Sequence, residues 1–190
     1  GKMDPYPEQP SRVESILKAL EARKSSFDHS LVGPTDFGLK PILAVHSEKY
    51  INYVKTAYDR WILKGGDANG VIPDTYAVHL KSIYRDITLQ TRSDNVLAEM
   101  GLYSFDSATV IVKDTYIAAY EAAQVALTAA ESMITHGLNS AYALCRPPGH
   151  HSSDELLGGF CFMNNAAIAT QYLIDKHNLK VCILDIGMIH

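Results

Sequence analysis

Residues 181–186, Val-Cys-Ile-Leu-Asp-Ile, constrain the fold of this chain more than any other segment. Apolar side chains fall on both parities of the run, so a strand here would bury both of its faces. That pattern belongs to a parallel sheet covered by helices on each side. Residues 141–145, Ala-Tyr-Ala-Leu-Cys, read as an earlier strand of the same kind, and 165–177 between them reads as a helix stopped at Asn178. Strand, loop, helix and strand make one βαβ unit, which has one favoured hand. The expected class is therefore α/β with a mostly parallel sheet.

The preceding 140 residues read as mainly helical. Ser11-Arg12-Val13-Glu14 has the form of a capping box, with Val13, Ile16, Leu17 and Leu20 at helical spacing behind it, so a helix is expected from 11 to 23. Residues 42–45, Ile-Leu-Ala-Val, read as a short buried strand or extended segment. Ser47 is placed to cap a second helix that carries Tyr50, Ile51, Val54, Tyr58, Trp61 and Ile62 and stops at Gly65-Gly66. Residues 115–136 read as a long alanine-rich helix ending at Gly137. The stretch 65–108 is broken by Gly65, Gly66, Gly70 and Pro73, and a segment of that length without clear structure is read as an insertion or functional loop. No linker divides the chain, so 1–190 is read as one domain.

The chain is 47% hydrophobic and 20% charged, with a formal net charge of -4, which argues against a dedicated nucleic-acid binder. It has no apolar run of about 18 residues and no opening signal segment, so no membrane span is expected and the cytoplasm is the expected location. Cys145, Cys161 and Cys182 fit no Cys-x-x-Cys spacing and are expected to be buried free thiols.

Chemistry is expected where residues 141–145 end, because open α/β sheets place their sites at the carboxyl ends of strands. There the chain reads Arg146-Pro147-Pro148-Gly149-His150-His151. Two prolines fix φ and a glycine turns the backbone, so both imidazoles emerge from a stiff platform, and imidazole suits proton transfer near neutral pH. The return through Gly158, Gly159, Phe160 and Phe162 allows close backbone approach to a ligand beside aromatic walls. Asp185, at the carboxyl end of the later strand, can orient a histidine or join a metal site.

Taken together, the Arg-Pro-Pro-Gly-His-His motif, Gly159-Phe160-Cys161 and Asn164-Asn165-Ala166-Ala167 resemble the zinc-dependent histone deacetylase and acetylpolyamine amidohydrolase family. Pro7-Glu8-Gln9-Pro10-Ser11-Arg12, Tyr58-Asp59-Arg60-Trp61 and residues 101–106, Gly-Leu-Tyr-Ser-Phe-Asp, are similar to its acetylpolyamine branch. The resemblance covers essentially the whole chain. It implies a three-layer arginase–deacetylase-like sandwich, incomplete in this chain, and hydrolysis of an acetyl amide by a zinc-bound water. His150 would assist the water and His151 would protonate the leaving amine. Gly159 would meet the substrate through its backbone, and Phe160 would wall its alkyl channel. Glu8 and Glu99 would hold the distal ammonium of a polyamine at the pocket mouth. The resemblance also implies a Zn2+ cofactor, a structural K+ near Asp185, a homodimer, and a role for 65–108 in narrowing the pocket and in dimerisation.

The family pattern after this last strand is Asp-x-Asp-x-His-His-Gly, whereas here it reads Asp185-Ile186-Gly187-Met188-Ile189-His190. Gly187 stands where a zinc-binding Asp is expected, and Ile189 where a zinc-binding His is expected. His190 matches the following non-ligand histidine, so Asp185 and His190 are the only donors left, and a catalytic zinc needs about three. The chain is accordingly expected to be an amino-terminal to central part of a longer enzyme, inactive and poorly stable alone. Deacetylation of small N-acetylated amines is the leading expectation. Alternatives are a protein acetyl-lysine deacetylase and a non-catalytic, metal-free relative.

Overall fold

A computed structural model describes residues 8–26, 28–74, 76 and 95–187. Among them run the helices α1 (Pro10–Ala22), α2 (Lys40–Leu43), α3 (Glu48–Leu63), α4 (Val96–Tyr103), α5 (Thr115–Thr135) and α6 (Asn165–His177). Residues 75 and 77–94, within the expected insertion, lie outside the described residues, as do Ile189 and His190.

The long helices begin and end where local chemistry dictates. The Ser47 hydroxyl accepts from the Tyr50 amide at 3.3 Å and caps α3. Helix α5 ends before Gly137, whose φ of +62° suits a residue without a side chain. Helix α6 opens with the side-chain Oδ1 of Asn164 accepting from the Ala167 amide at 3.0 Å. It closes at Asn178, φ +53°, with Lys176 and His177 set against the carbonyl end of the helix.

Two local expectations are corrected. Residues 42–45 are not a strand, because Pro41 stands in the first turn of α2, where its fixed φ favours a helix start. The capping box at Ser11 does not form either. Pro10 opens α1, so the N-cap moves back to Gln9 and Ser11 lies inside the helix. Helix α4, which the irregular composition of 65–108 concealed, is capped by the Asn95 side chain accepting from the Leu97 amide at 3.0 Å.

Helices α5 and α6 lie along one another, joined by a carboxylate hub. Glu131 of α5 accepts from Tyr172 (3.0 Å), Lys176 (2.9 Å) and His177 (2.7 Å) of α6. Residues 35–38 wrap this pair: the Phe37 amide donates to Gln124 at 2.8 Å, and the Phe37 ring meets Tyr172 edge-on at 5.3 Å. Helix α3 packs on α4 and α5, and the core gathers Tyr50, Tyr53, Val54, Met100, Leu127, Leu157, Met163 and Ile168. Each such apolar side chain contributes roughly 1.5–3 kcal/mol on burial.

The strands expected at 141–145 and 181–186 carry no ladder among the described residues, where β-pairing is limited to isolated bridges such as Ser104–Leu157 and Gly158–Cys161. A strand is stabilised by neighbours on its edges and layers on its faces. Here Leu184 is 80% exposed and Ile186 86% exposed, so neither requirement is met. Cys182 is exposed for the same reason, against expectation, while Cys161 is buried and Cys145 half-buried.

Candidate active site

The loop from Arg146 to Asn164 is pinned at both ends by the start of α6. The Asn165 amide group donates to the Pro147 carbonyl at 3.2 Å, and that of Asn164 donates to the Ser152 carbonyl at 2.9 Å. The paired asparagines thus hold two parts of the histidine loop while the first of them also caps the helix. At Gly149 the loop passes so near α6 that a Cβ would stand 2.5 Å from the Met163 carbonyl oxygen and 2.6 Å from the Asn165 nitrogen.

The other side is fixed from α3. The Tyr50 hydroxyl donates to the Phe162 carbonyl at 2.6 Å, and Ser152 donates to the same oxygen at 3.1 Å. The Asn164 backbone N–H donates to His46 Nε2 at 2.9 Å, which leaves His46 Nδ1 to donate to the Asp154 carbonyl at 3.3 Å. Burial pushes the His46 pKa below the ordinary histidine value, consistent with this neutral tautomer.

On this platform His150 and His151 lie with ring centroids 4.1 Å apart and planes tilted by 53°. His150 Nδ1 faces Asp185 Oδ2 at 2.5 Å. The hydrogen bond from His150, aided by the Gly187 amide at 3.0 Å, holds the Asp185 carboxyl below the usual range. Both partners of the pair are well exposed, which screens it. The Asp185 carboxylate fixes the tautomer of His150 and leaves Nε2 free to act on a proton.

The His151 ring rests on Gly159, where a Cβ would collide with it. Gly159 and Phe160 are consecutive left-handed residues, at φ +56° and +67°. For Phe160 that conformation costs about 1–2 kcal/mol. Phe160 and Phe162 line a cleft of about 420 Å³ together with Val110, Val112, Pro147 and Glu8.

Glu8, expected at the pocket mouth, is buried and ion-paired with Arg12 and with Arg146 Nε, the latter at 3.4 Å. Glu99 is paired with Arg60 across α3 and α4 and is not among the residues lining that cleft. The structure therefore brings His150, His151, Gly159, Phe160 and Asp185 into one neighbourhood, and both glutamates already have cationic partners.

Among the described residues no group of three His, Cys, Asp or Glu side chains comes together to hold a metal ion. Asp185 has one carboxylate oxygen engaged by His150, and Gly187 has no donor side chain. The described donors do not fit a catalytic zinc, which needs about three protein ligands and an open position.

A histone deacetylase domain model matches residues 6–190. The chain belongs to the histone deacetylase family. Acetylpolyamine amidohydrolase 1 of Pseudomonas aeruginosa is 38% identical over 190 residues, covering 100% of this chain and 52% of that protein. Acetylpolyamine amidohydrolase of Mycoplana ramosa is 37% identical over 194 residues, with the same two coverages, 100% and 52%. A crystal structure of acetylpolyamine aminohydrolase from Burkholderia pseudomallei superposes with a TM-score of 0.76 at 33% identity, covering 93% of this chain and 47% of that one. This deacetylase-family chain thus has the arginase–deacetylase fold and spans about half the length of the curated relatives it matches.

Several residues that build the site had no strong signal of their own. Tyr50, Ser152 and His46 act through hydrogen bonds to backbone atoms more than 100 positions away or within the loop itself. Asp106, which ends the 101–106 segment similar to the acetylpolyamine branch, and Thr109 meet the Gly159-Phe160 turn; their local trace is an Asp three residues before a Thr, the spacing of a side-chain-supported turn.

Proposed function

We propose that the protein to which this chain belongs hydrolyses the acetyl amide of small N-acetylated amines of the acetylpolyamine type, releasing acetate and the free amine. The observation that carries the reading is the His150–Asp185 pair at 2.5 Å beside His151, on a loop tied to Tyr50 of α3 and to Asn165 at the start of α6. In this reading Asp185 orients His150, whose free nitrogen takes the proton of the attacking water. His151 supplies a proton to the departing amine nitrogen, without which an amide does not release its amine at neutral pH. Gly159 presents backbone to the substrate and Phe160 packs against its alkyl chain.

The family is generally metal-dependent, and zinc is the expected ion for this reaction. The described donors do not complete a zinc site. Gly187 favours a second reading, a metal-free relative that keeps the fold. A homodimeric, cytoplasmic enzyme belongs to the leading proposal; no helix among the described residues is long and apolar enough to cross a membrane.

The experiment is turnover of N-acetylputrescine and of an acetyl-lysine peptide by the full-length protein, with metal content measured on the same sample. Acetate release from acetylputrescine in preference to the peptide supports the proposal. Preference for the peptide points to a protein deacetylase. No turnover by metal-free protein, unchanged on adding zinc, leaves the metal-free relative.

A further inference from the structure

We propose that Asp106 is a positioning residue for this site, acting through Thr109 to set the Gly159-Phe160 turn on which His151 rests; the assignment of a catalytic role to that turn rests on the function proposed above. Asp106 Oδ1 accepts from the Ala108 amide at 3.0 Å and the Thr109 amide at 2.8 Å, closing a turn around its own carboxylate. Its second oxygen reaches across 53 positions to accept from the Gly159 amide at 2.5 Å, and it also accepts from the Thr109 hydroxyl at 3.1 Å. That hydroxyl in turn accepts from the Phe160 amide at 2.8 Å. Both N–H groups of the left-handed pair therefore end on one carboxylate–hydroxyl unit.

The unit is rigid at its base. Ser104, fully buried, donates to the Asp106 carbonyl at 2.8 Å. Residues 103–105 bridge to Leu157: its amide donates to Tyr103 O at 2.7 Å, and the Phe105 amide donates to its carbonyl at 3.2 Å. The Phe105 ring covers Gly158 so closely that no Cβ fits there. A hydrogen bond to an ionised carboxylate is roughly twice as strong as a neutral one. The Gly159 anchor is of that kind and the Phe160 anchor ends on the Thr109 hydroxyl, and together they offset the cost of a phenylalanine in the left-handed region. Because the His151 ring lies directly on Gly159, the height of that residue sets where the imidazole stands. A misplacement of about 1 Å at a reacting group costs on the order of 10²-fold in rate.

The test uses Asp106→Asn, Thr109→Val and Thr109→Ser. Valine keeps the volume of threonine and loses the hydroxyl, and serine keeps the hydroxyl. Folding is followed by circular dichroism and melting, and the His151 imidazole by NMR, with its signal assigned from His151→Gln. Asp106→Asn and Thr109→Val are expected to stay folded while displacing the His151 signal and its titration midpoint, and Thr109→Ser is expected to restore both. An unchanged His151 signal and midpoint in the folded variants would overturn the proposal. So would loss of folding in both, because the pair would then serve the fold rather than the site. In full-length enzyme the first two variants should lower kcat on acetylputrescine by about 10²-fold with little change in KM. A wild-type protein without turnover, but with the NMR coupling intact, sinks the functional reading and leaves the positioning role standing.

Discussion

The hydroxyl of Tyr50, on α3, donates to the backbone carbonyl of Phe162 at 2.6 Å, 112 residues further along the chain. The tyrosine is fully buried, and burial drives its pKa well above the ordinary tyrosine value, so it serves as a fixed neutral donor. The same carbonyl accepts from Ser152, at the base of the histidine loop. One oxygen thus ties the helical core to the histidine loop from two sides. Tyr50→Phe keeps the ring and removes one of those donors, so it should lower unfolding stability by about 1 kcal/mol. In a urea titration the midpoint should fall with the slope unchanged.

Besides the bond its backbone carbonyl accepts from Ile168, Asn164 makes three others. Its side-chain oxygen caps α6, its amide group holds the Ser152 carbonyl, and its backbone N–H meets His46. Asn164→Asp keeps the cap and loses the donor to Ser152, whereas Asn164→Ala loses both. Loss of an N-cap alone costs typically ~1 kcal/mol. The alanine variant should therefore be the less stable of the two by about that amount in thermal melts, and an equal loss for both would show that the cap contributes nothing.

How much of this was legible follows from the range of each cause. The bounds of α5 and α6 came from signals within one turn of the helix ends, Gly137 and the Asn164 and Asn178 pair. The histidine loop was legible because its stiffness is encoded by the prolines and Gly149 beside it. Residues 42–45 were misread because apolar composition outweighed Pro41, one residue upstream. Residues 181–186 were read from their own side chains, yet a strand exists only with partners, and among the described residues Leu184 and Ile186 have no covering layer. The contribution of Asp106 was hidden because its bond to Gly159 spans 53 positions.

Gly149 and Gly159 separate two ways in which a glycine is required. Gly149 has an ordinary φ, so Gly149→Ala fails only by collision with backbone atoms of Met163 and Asn165, which cannot rotate away. It should destabilise by about 1–3 kcal/mol, the usual cost of overpacking. Gly159→Ala adds a left-handed strain to a collision with the movable His151 ring. It should therefore displace the His151 NMR signals more than Gly149→Ala does, and a smaller displacement would count against the contact between ring and glycine.

The three cysteines should differ sharply in reactivity. Burial pushes the Cys161 and Cys145 thiols up to about 11, which leaves little thiolate at neutral pH, whereas Cys182 is exposed. A thiol reagent should label Cys182 rapidly in the native chain and reach the other two only on denaturation. Fast native labelling at Cys161 would contradict the packing of the site loop.

Acid should loosen the α5–α6 pair. Partial burial acts to raise the Glu131 carboxyl, but the hydrogen bonds from His177, Lys176 and Tyr172 outweigh it and bring it down to about 2, from an ordinary 4.5. A carboxyl whose pKa is lower in the folded than in the unfolded chain contributes stability that is fully present above the unfolded value. That contribution is lost as pH falls through the window from 4.5 toward 2. Glu131→Gln removes the charge at every pH, so the variant should be less stable than wild type near neutrality, and the difference should shrink across that window. Melting temperatures taken from pH 7 to pH 3 would show it. A constant difference between the two proteins would mean that Glu131 holds the helices through shape alone.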